Sequence, residues 1–182
     1  MSFKTAVSVT VAVLMAMPQG CTTESSTLGI GRPASDEEIR RLDIDIMPDG
    51  SGLPPGSGNS STGAVVYNNK CAACHGANGE GSPLGAPLVG RNPGDAFDFA
   101  DRFPTPAKTI GNYWPYATTI FDYVRRAMPF DQPGSLTDEE VYGVTAWLLW
   151  KNDIIPADAR LDANTLPAVV MPSADRFIPD NR

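Results

Sequence analysis

The stretch Asn69-Lys70-Cys71-Ala72-Ala73-Cys74-His75-Gly76 (NKCAACHG) puts two thiols and an imidazole within five residues. Three chemistries use such a cluster. Structural zinc needs four ligands, or three and a water, yet the 182-residue chain holds only three cysteines and one histidine. Adjacent Cys74 and His75 are also awkward co-ligands for one ion. A redox dithiol works at the start of a helix that follows a strand, where the helix dipole stabilises the thiolate. Here Val65, Val66 and Tyr67 belong to a predicted helix running from a cap at Thr62 to about Ala73, so the pair ends a helix.

What remains is covalent haem attachment. Two cysteines three positions apart on one turn form thioethers to both haem vinyl groups, and the histidine after them reaches the iron as the proximal ligand. The motif predicts one haem c, held by Cys71 and Cys74 with His75 on the metal.

Because His75 is the only histidine, a second imidazole cannot fill the opposite axial position from within this chain. Met47 lies in an arm before the helical module and Met171 in a tail broken by prolines. Met128 follows a predicted helix whose Ala117, Ile120, Phe121, Val124 and Ala127 recur at helical spacing, with Trp114-Pro115 at its start and Pro129 at its stop. Met128 is the expected sixth ligand. His/Met ligation leaves no open position on the iron and favours the ferrous state, which suits electron transfer.

The remaining composition frames this module. A formal charge of −7 argues against nucleic acid as a partner, because phosphate attraction needs a basic face. Lys4 followed by the apolar run Ala6 to Met17 reads as an export signal, too short to span a bilayer comfortably. Gly20-Cys21 then resembles a lipoprotein cleavage site with Cys21 acylated, although Pro18 and Gln19 depart from the usual pattern. The expected location is periplasmic, on a membrane anchor.

Along the chain, residues 1–20 read as signal peptide and 21–61 as anchor linker and extended arm. Residues 62–152 read as the helical module, and 153–182 as a C-terminal arm. Ser35-Asp36-Glu37-Glu38 has capping-box spacing, predicting a short helix through Leu42. The alternating LDIDIM segment that follows could add an edge strand, lie on a partner or serve as spacer. Pro48 to Gly58 reads as neither helix nor strand. Thr137-Asp138-Glu139-Glu140 caps a last helix with Val141, Val144, Trp147 and Leu148 along one face. The expected fold is all-α. Scattered apolar residues in both arms are expected to pack along the module or on a partner subunit.

With CAACH, Met128-Pro129 and these helices in this order, residues 62–152 resemble a class I cytochrome c, which implies three to five helices around one haem. In that family the first and last helices cross beside the haem, and Gly63, Tyr67 and Trp147 match that contact. The resemblance also implies a carbonyl near Ala86-Pro87 accepting the His75 ring N–H, with Arg91, Tyr113 and Trp114 as propionate contacts. More closely, Gly31-Arg32-Pro33, Asp43-Ile44-Asp45, the 48–58 segment, Lys108 to Ala117, Arg126 to Phe130 and Asn152-Asp153 resemble the SoxD-type cytochromes. Those are haem c partners of molybdenum sulfite or sulfane dehydrogenase subunits in bacterial sulfur oxidation. Members of that family can carry a second haem, whereas this sequence has one Cys-x-x-Cys-His.

Three functions fit the sequence. The chain could be a non-catalytic subunit that takes electrons from a periplasmic molybdoenzyme and passes them to another cytochrome or an oxidase. It could instead be a tethered shuttle for an unrelated dehydrogenase. The third is a haem sensor or peroxidase whose Met128 leaves the iron.

Overall fold

Asn59 opens the first long helix of the computed structural model, which describes residues 30–91 and 107–178. The Asn59 side chain accepts from Thr62 N at 2.9 Å and Thr62 Oγ1 accepts from Asn59 N, so the two residues close a capping box. Thr62, expected as the cap itself, is therefore the third residue of α2 (Ser60–Lys70). Ahead of it lie α1 (Asp36–Leu42) and a short strand, β1 (Ser57–Asn59). After it come α3 (Ala72–His75), α4 (Ala117–Ala127), α5 (Asp138–Lys151) and strand β2 (Arg160–Asp162), then two 3₁₀ turns at Leu166–Ala168 and Ala174–Arg176.

The predicted capping boxes at Ser35 and Thr137 both form, at the first residues of α1 and α5. The second predicted helix starts later than expected. Tyr116 stays extended (φ −136°, ψ 128°), while the Trp114 indole reaches across the first turn to donate to Thr119 Oγ1 at 2.8 Å.

Helix α5 is the axis of the core. Every residue from Val141 to Leu149 is buried, so it is apolar all round rather than on the one face its spacing suggested. Helix α2 crosses it at Gly63 and Gly143. A methyl group on Gly63 would collide with the Gly143 carbonyl and lie 2.8 Å from Trp147 Cβ. That close approach brings Tyr67 and Trp147 into stacking, with ring centroids 3.8 Å apart and planes 22° off parallel. Both side chains are buried, which contributes about 1.5–3 kcal/mol each before ordering costs. Phe121 of α4 closes the other side against Tyr142, at a centroid distance of 4.5 Å.

The structure corrects the expectation that residues 48–58 avoid strand pairing. Strand β1 pairs antiparallel with β2, Gly58 opposite Leu161. Gly58 makes this possible by lying directly on the backbone of Tyr142 and Gly143, where a side chain would have no room. In the LDIDIM segment no strand forms; Ile46 alone is buried, its N–H donating to Asp122 Oδ1 at 3.0 Å. Both arms thus reach the module. Leu53, Leu161, Leu166 and Met171 join or pack on its core, whereas α1 buries none of its residues. Among the described residues no helix is long and apolar enough to cross a membrane. The expected signal peptide and Cys21 lie outside the described residues.

Candidate haem-binding site

The Cys-x-x-Cys-His motif sits on its own helical turn. Cys71 ends α2 with φ −122° and ψ −36°, and the chain restarts as α3. Cys74 N and His75 N both donate to Cys71 O, at 3.1 and 2.9 Å. Gly76 then stops the turn in the left-handed region (φ +83°), where a β-carbon would be disfavoured. Its carbonyl accepts from the buried Tyr67 hydroxyl at 2.8 Å, tying the end of the motif to the α2–α5 crossing. Burial pushes the Tyr67 hydroxyl up to about 12, with Cys71 and Glu80 adding to it, so it stays a donor at neutral pH.

Cys71 is half-buried and Cys74 exposed, and the two are not joined in a disulfide. Burial, then the neighbouring Cys74, pushes the Cys71 thiol up to about 11. Its sulfur rests on the apolar core. Ala72, Leu88, Trp114 and Met128 are likewise half-buried and packed against that core.

His75 is held from the side away from its turn. Its Nδ1 lies 2.8 Å from Ala86 O, where the carbonyl can only accept, so Nδ1 carries the proton and Nε2 is left as the donor atom for a metal. The sequence placed this carbonyl near Ala86-Pro87, and the structure puts the contact on Ala86. The loop behind it is closed by Gly81 N donating to His75 O at 2.7 Å, and by Leu88 N and Val89 N donating to Gly79 O at 2.8 and 2.9 Å. Gly85 fits against this turn; a methyl there would sit 2.7 Å from Cys74 O and 3.0 Å from His75 Nδ1.

Among the described residues the three methionines separate by environment. Met47 is 55% exposed and Met171 only 2%, packed as core filler. Met128 caps the C-terminus of α4 in an extended conformation, half-buried, with its N–H on Val124 O at 3.1 Å. Two cysteine thiols, an oriented imidazole and a half-buried thioether form a donor set that fits a covalently attached haem.

The suggested propionate contacts have other engagements. The Arg91 guanidinium donates to Asp153 O at 2.8 Å, and the Trp114 indole donates to Thr119. The Tyr113 ring packs edge-on against Phe177, with Lys108 Nζ 4.4 Å from its centroid. Sequence reasoning missed Asn152, a 1% exposed amide at the end of α5 that grips the loop behind His75. Its signal was available. An asparagine immediately after a helix's last basic residue is a candidate cap with a side-chain amide to satisfy.

Comparison with known proteins bears on the fold and the cofactor. A family model described as cytochrome C oxidase, cbb3-type, subunit III, matches residues 58–148. Among solved structures, a chain of the sulfane dehydrogenase SoxCD from Paracoccus pantotrophus superposes with a TM-score of 0.72 at 42% identity, covering 85% of this chain and 73% of that one. The thiosulfate dehydrogenases of Psychrobacter arcticus and Stutzerimonas stutzeri are 28% and 27% identical, over 63% and 77% of this chain. This chain covers 38% and 40% of their lengths, so it spans about two fifths of these curated relatives.

Proposed function

The chain belongs to this cytochrome c family, is a SoxD-type cytochrome with covalently bound haem c, and we propose that it serves as the electron-transfer subunit of a periplasmic sulfur-compound dehydrogenase. In this reading it takes electrons from a molybdenum sulfite or sulfane dehydrogenase-type subunit and hands them to a downstream cytochrome or oxidase. The observation that carries the reading is the 42% identity to a SoxCD chain over 85% of this one, which extends well past the cytochrome module into its arms.

The residues account for the chemistry. Bound haem supplies a one-electron Fe(II)/Fe(III) couple. Cys71 and Cys74 would hold it covalently, and His75 Nε2 and the Met128 thioether would ligate its iron. The Ala86 carbonyl keeps the imidazole in one tautomer and raises its basicity. The stacked Tyr67 and Trp147, with α2 and α5 in backbone contact, make a stiff support that limits reorganisation when the charge changes. Residues 1–20 act as an export signal, and an acyl group on Cys21 tethers the mature chain to the membrane.

The test is direct. The purified cytochrome is mixed with a molybdenum sulfite or sulfane dehydrogenase subunit and its substrate, and haem reduction is followed by absorbance. Reduction at the rate of substrate turnover supports the assignment. Failure to reduce this haem while the subunit still reduces an artificial acceptor overturns it. The similarity to thiosulfate dehydrogenases favours a second reading, in which the electrons come from a thiosulfate-oxidising domain. The same assay with such a domain and thiosulfate as donor separates the two.

A further inference from the structure

We infer that Asn152 is a positioning residue for the axial histidine, acting through the loop that carries the Ala86 carbonyl. The inference rests on His75 being an iron ligand. Asn152 is 1% exposed, and its amide is fully engaged. Nδ2 donates to Leu148 O at 2.8 Å and to Leu88 O at 3.2 Å, while Oδ1 accepts from Gly90 N at 3.0 Å. One side chain thus joins the C-terminal end of α5 to two backbone groups of the loop.

From the other side, Ile110 N donates to Leu88 O at 3.1 Å, and Thr109 Oγ1 donates to Gly90 O. Residues 88–90 are clamped between α5 and residues 109–110. Gly111 completes the fit, since a methyl there would strike Asn152 Oδ1 and lie 2.7 Å from Arg91 Cβ.

The clamp is one residue from the carbonyl that orients His75. Pro87 is that residue, and its ring fixes φ, so Ala86 C=O and Leu88 move together as a nearly rigid link. Replacing Asn152 by leucine keeps the branched shape but leaves the Gly90 N–H without its acceptor and breaks the tie to Leu88 O. The loop then reseats, and the Ala86 carbonyl moves relative to Nδ1. A weaker Nδ1–H bond makes the imidazole a poorer donor to ferric iron, so the midpoint potential rises.

Three variants and a control test this: Asn152→Leu, Gly111→Ala, Thr109→Val, and Leu166→Ala, which opens a cavity elsewhere in the core. Midpoint potential, exchange of the His75 ring N–H by NMR and exchange of the Gly90 amide are measured on each holoprotein. Asn152→Leu and Gly111→Ala should both raise the potential and speed ring N–H exchange, with Thr109→Val smaller in the same direction. Leu166→Ala should lower the unfolding temperature and leave both haem readouts unchanged. Faster Gly90 exchange with wild-type potential and ring-proton exchange would make Asn152 a purely structural residue and overturn the inference. Should Asn152→Leu fail to assemble, Gly111→Ala and Thr109→Val decide by the same readouts. A wild-type spectrum without histidine ligation would instead overturn the ligand assignment, and this inference with it.

Discussion

Tyr67 of α2 lies flat against Trp147 of α5 at 3.8 Å because Gly63, one turn earlier, lets the two helices meet backbone to backbone. The contact has a steric asymmetry. A methyl on Gly63 would overlap the Gly143 carbonyl, whereas one on Gly143 would meet Thr62 Oγ1 at 3.0 Å and Gly63 N at 3.1 Å. Gly63→Ala should therefore destabilise the fold by about 1–3 kcal/mol or more through overpacking, and Gly143→Ala by less. Thermal unfolding of the two holoproteins orders them; equal losses would contradict the geometry.

The methionines are distinguished by readout. Met128→Ala should retain covalent haem but lose the methionine-to-iron charge-transfer band and lower the midpoint potential, as a harder ligand replaces the thioether. Met171→Ala should keep the spectrum and cost about 2–5 kcal/mol, because that side chain is 2% exposed and leaves a cavity. A reversal of the two spectra would move the sixth ligand to Met171.

Asp122 fixes the N-terminal arm to α4. Its carboxylate accepts from Ile46 N at 3.0 Å and from Arg126 Nε at 2.9 Å. Burial alone would raise its pKa, but the Arg126 and Ile46 hydrogen bonds outweigh that and hold it below the ordinary aspartate value of 3.8. Its contribution is then complete above pH 3.8 and fades as pH falls through the lower folded value. Asp122→Ala should cost about 1.5–3 kcal/mol and remove this acid dependence. Amide exchange at Ile46 across that pH range measures both effects.

Cys21→Ser should move the protein from the membrane fraction to the soluble one with its haem spectrum intact. Retention on the membrane would rule out the acyl anchor.

Helix α1 buries none of its residues, while Ile39 and Leu42 are 50% and 76% exposed. A chain lacking residues 22–42 should therefore fold and bind haem normally, yet take electrons from the dehydrogenase subunit more slowly. Unchanged electron uptake would exclude a docking role for that segment. Cutting further, through Ile46 and Leu53, should also lower stability, since both pack on the core.

The sequence made much of the site legible because covalent attachment demands a fixed local spacing. Cys71, Cys74 and His75 share one turn, and the Ser35 and Thr137 caps are equally local. Less visible was what tertiary contact decides. Gly58 looked like one more loop glycine until its position on the Gly143 backbone made room for β1. Asn152 looked like the end of a helix, and its role depends on a loop more than sixty residues earlier in the chain. Thr62 was a good cap by type, but Asn59 completed the box one turn sooner.

The order in which the N-terminal arm is fastened gives the molecule a mechanical property. Tension arriving along the lead from residue 30 meets Ile44 O on the Arg125 guanidinium and Asp45 beside Arg126 first, then Ile46 on Asp122, then Pro48 O on the Thr118 hydroxyl at 3.0 Å, then Pro54 O on the Tyr142 hydroxyl at 2.9 Å. Last comes the β1–β2 pairing, before any load reaches α2 and the haem-binding turn. Each fastening lands on α4, α5 or the C-terminal arm, so the pull is shared with the body of the protein in successive steps. A cytochrome hauled about on a tether would lose its leading segment peg by peg while the turn bearing Cys71, Cys74 and His75 stayed slack.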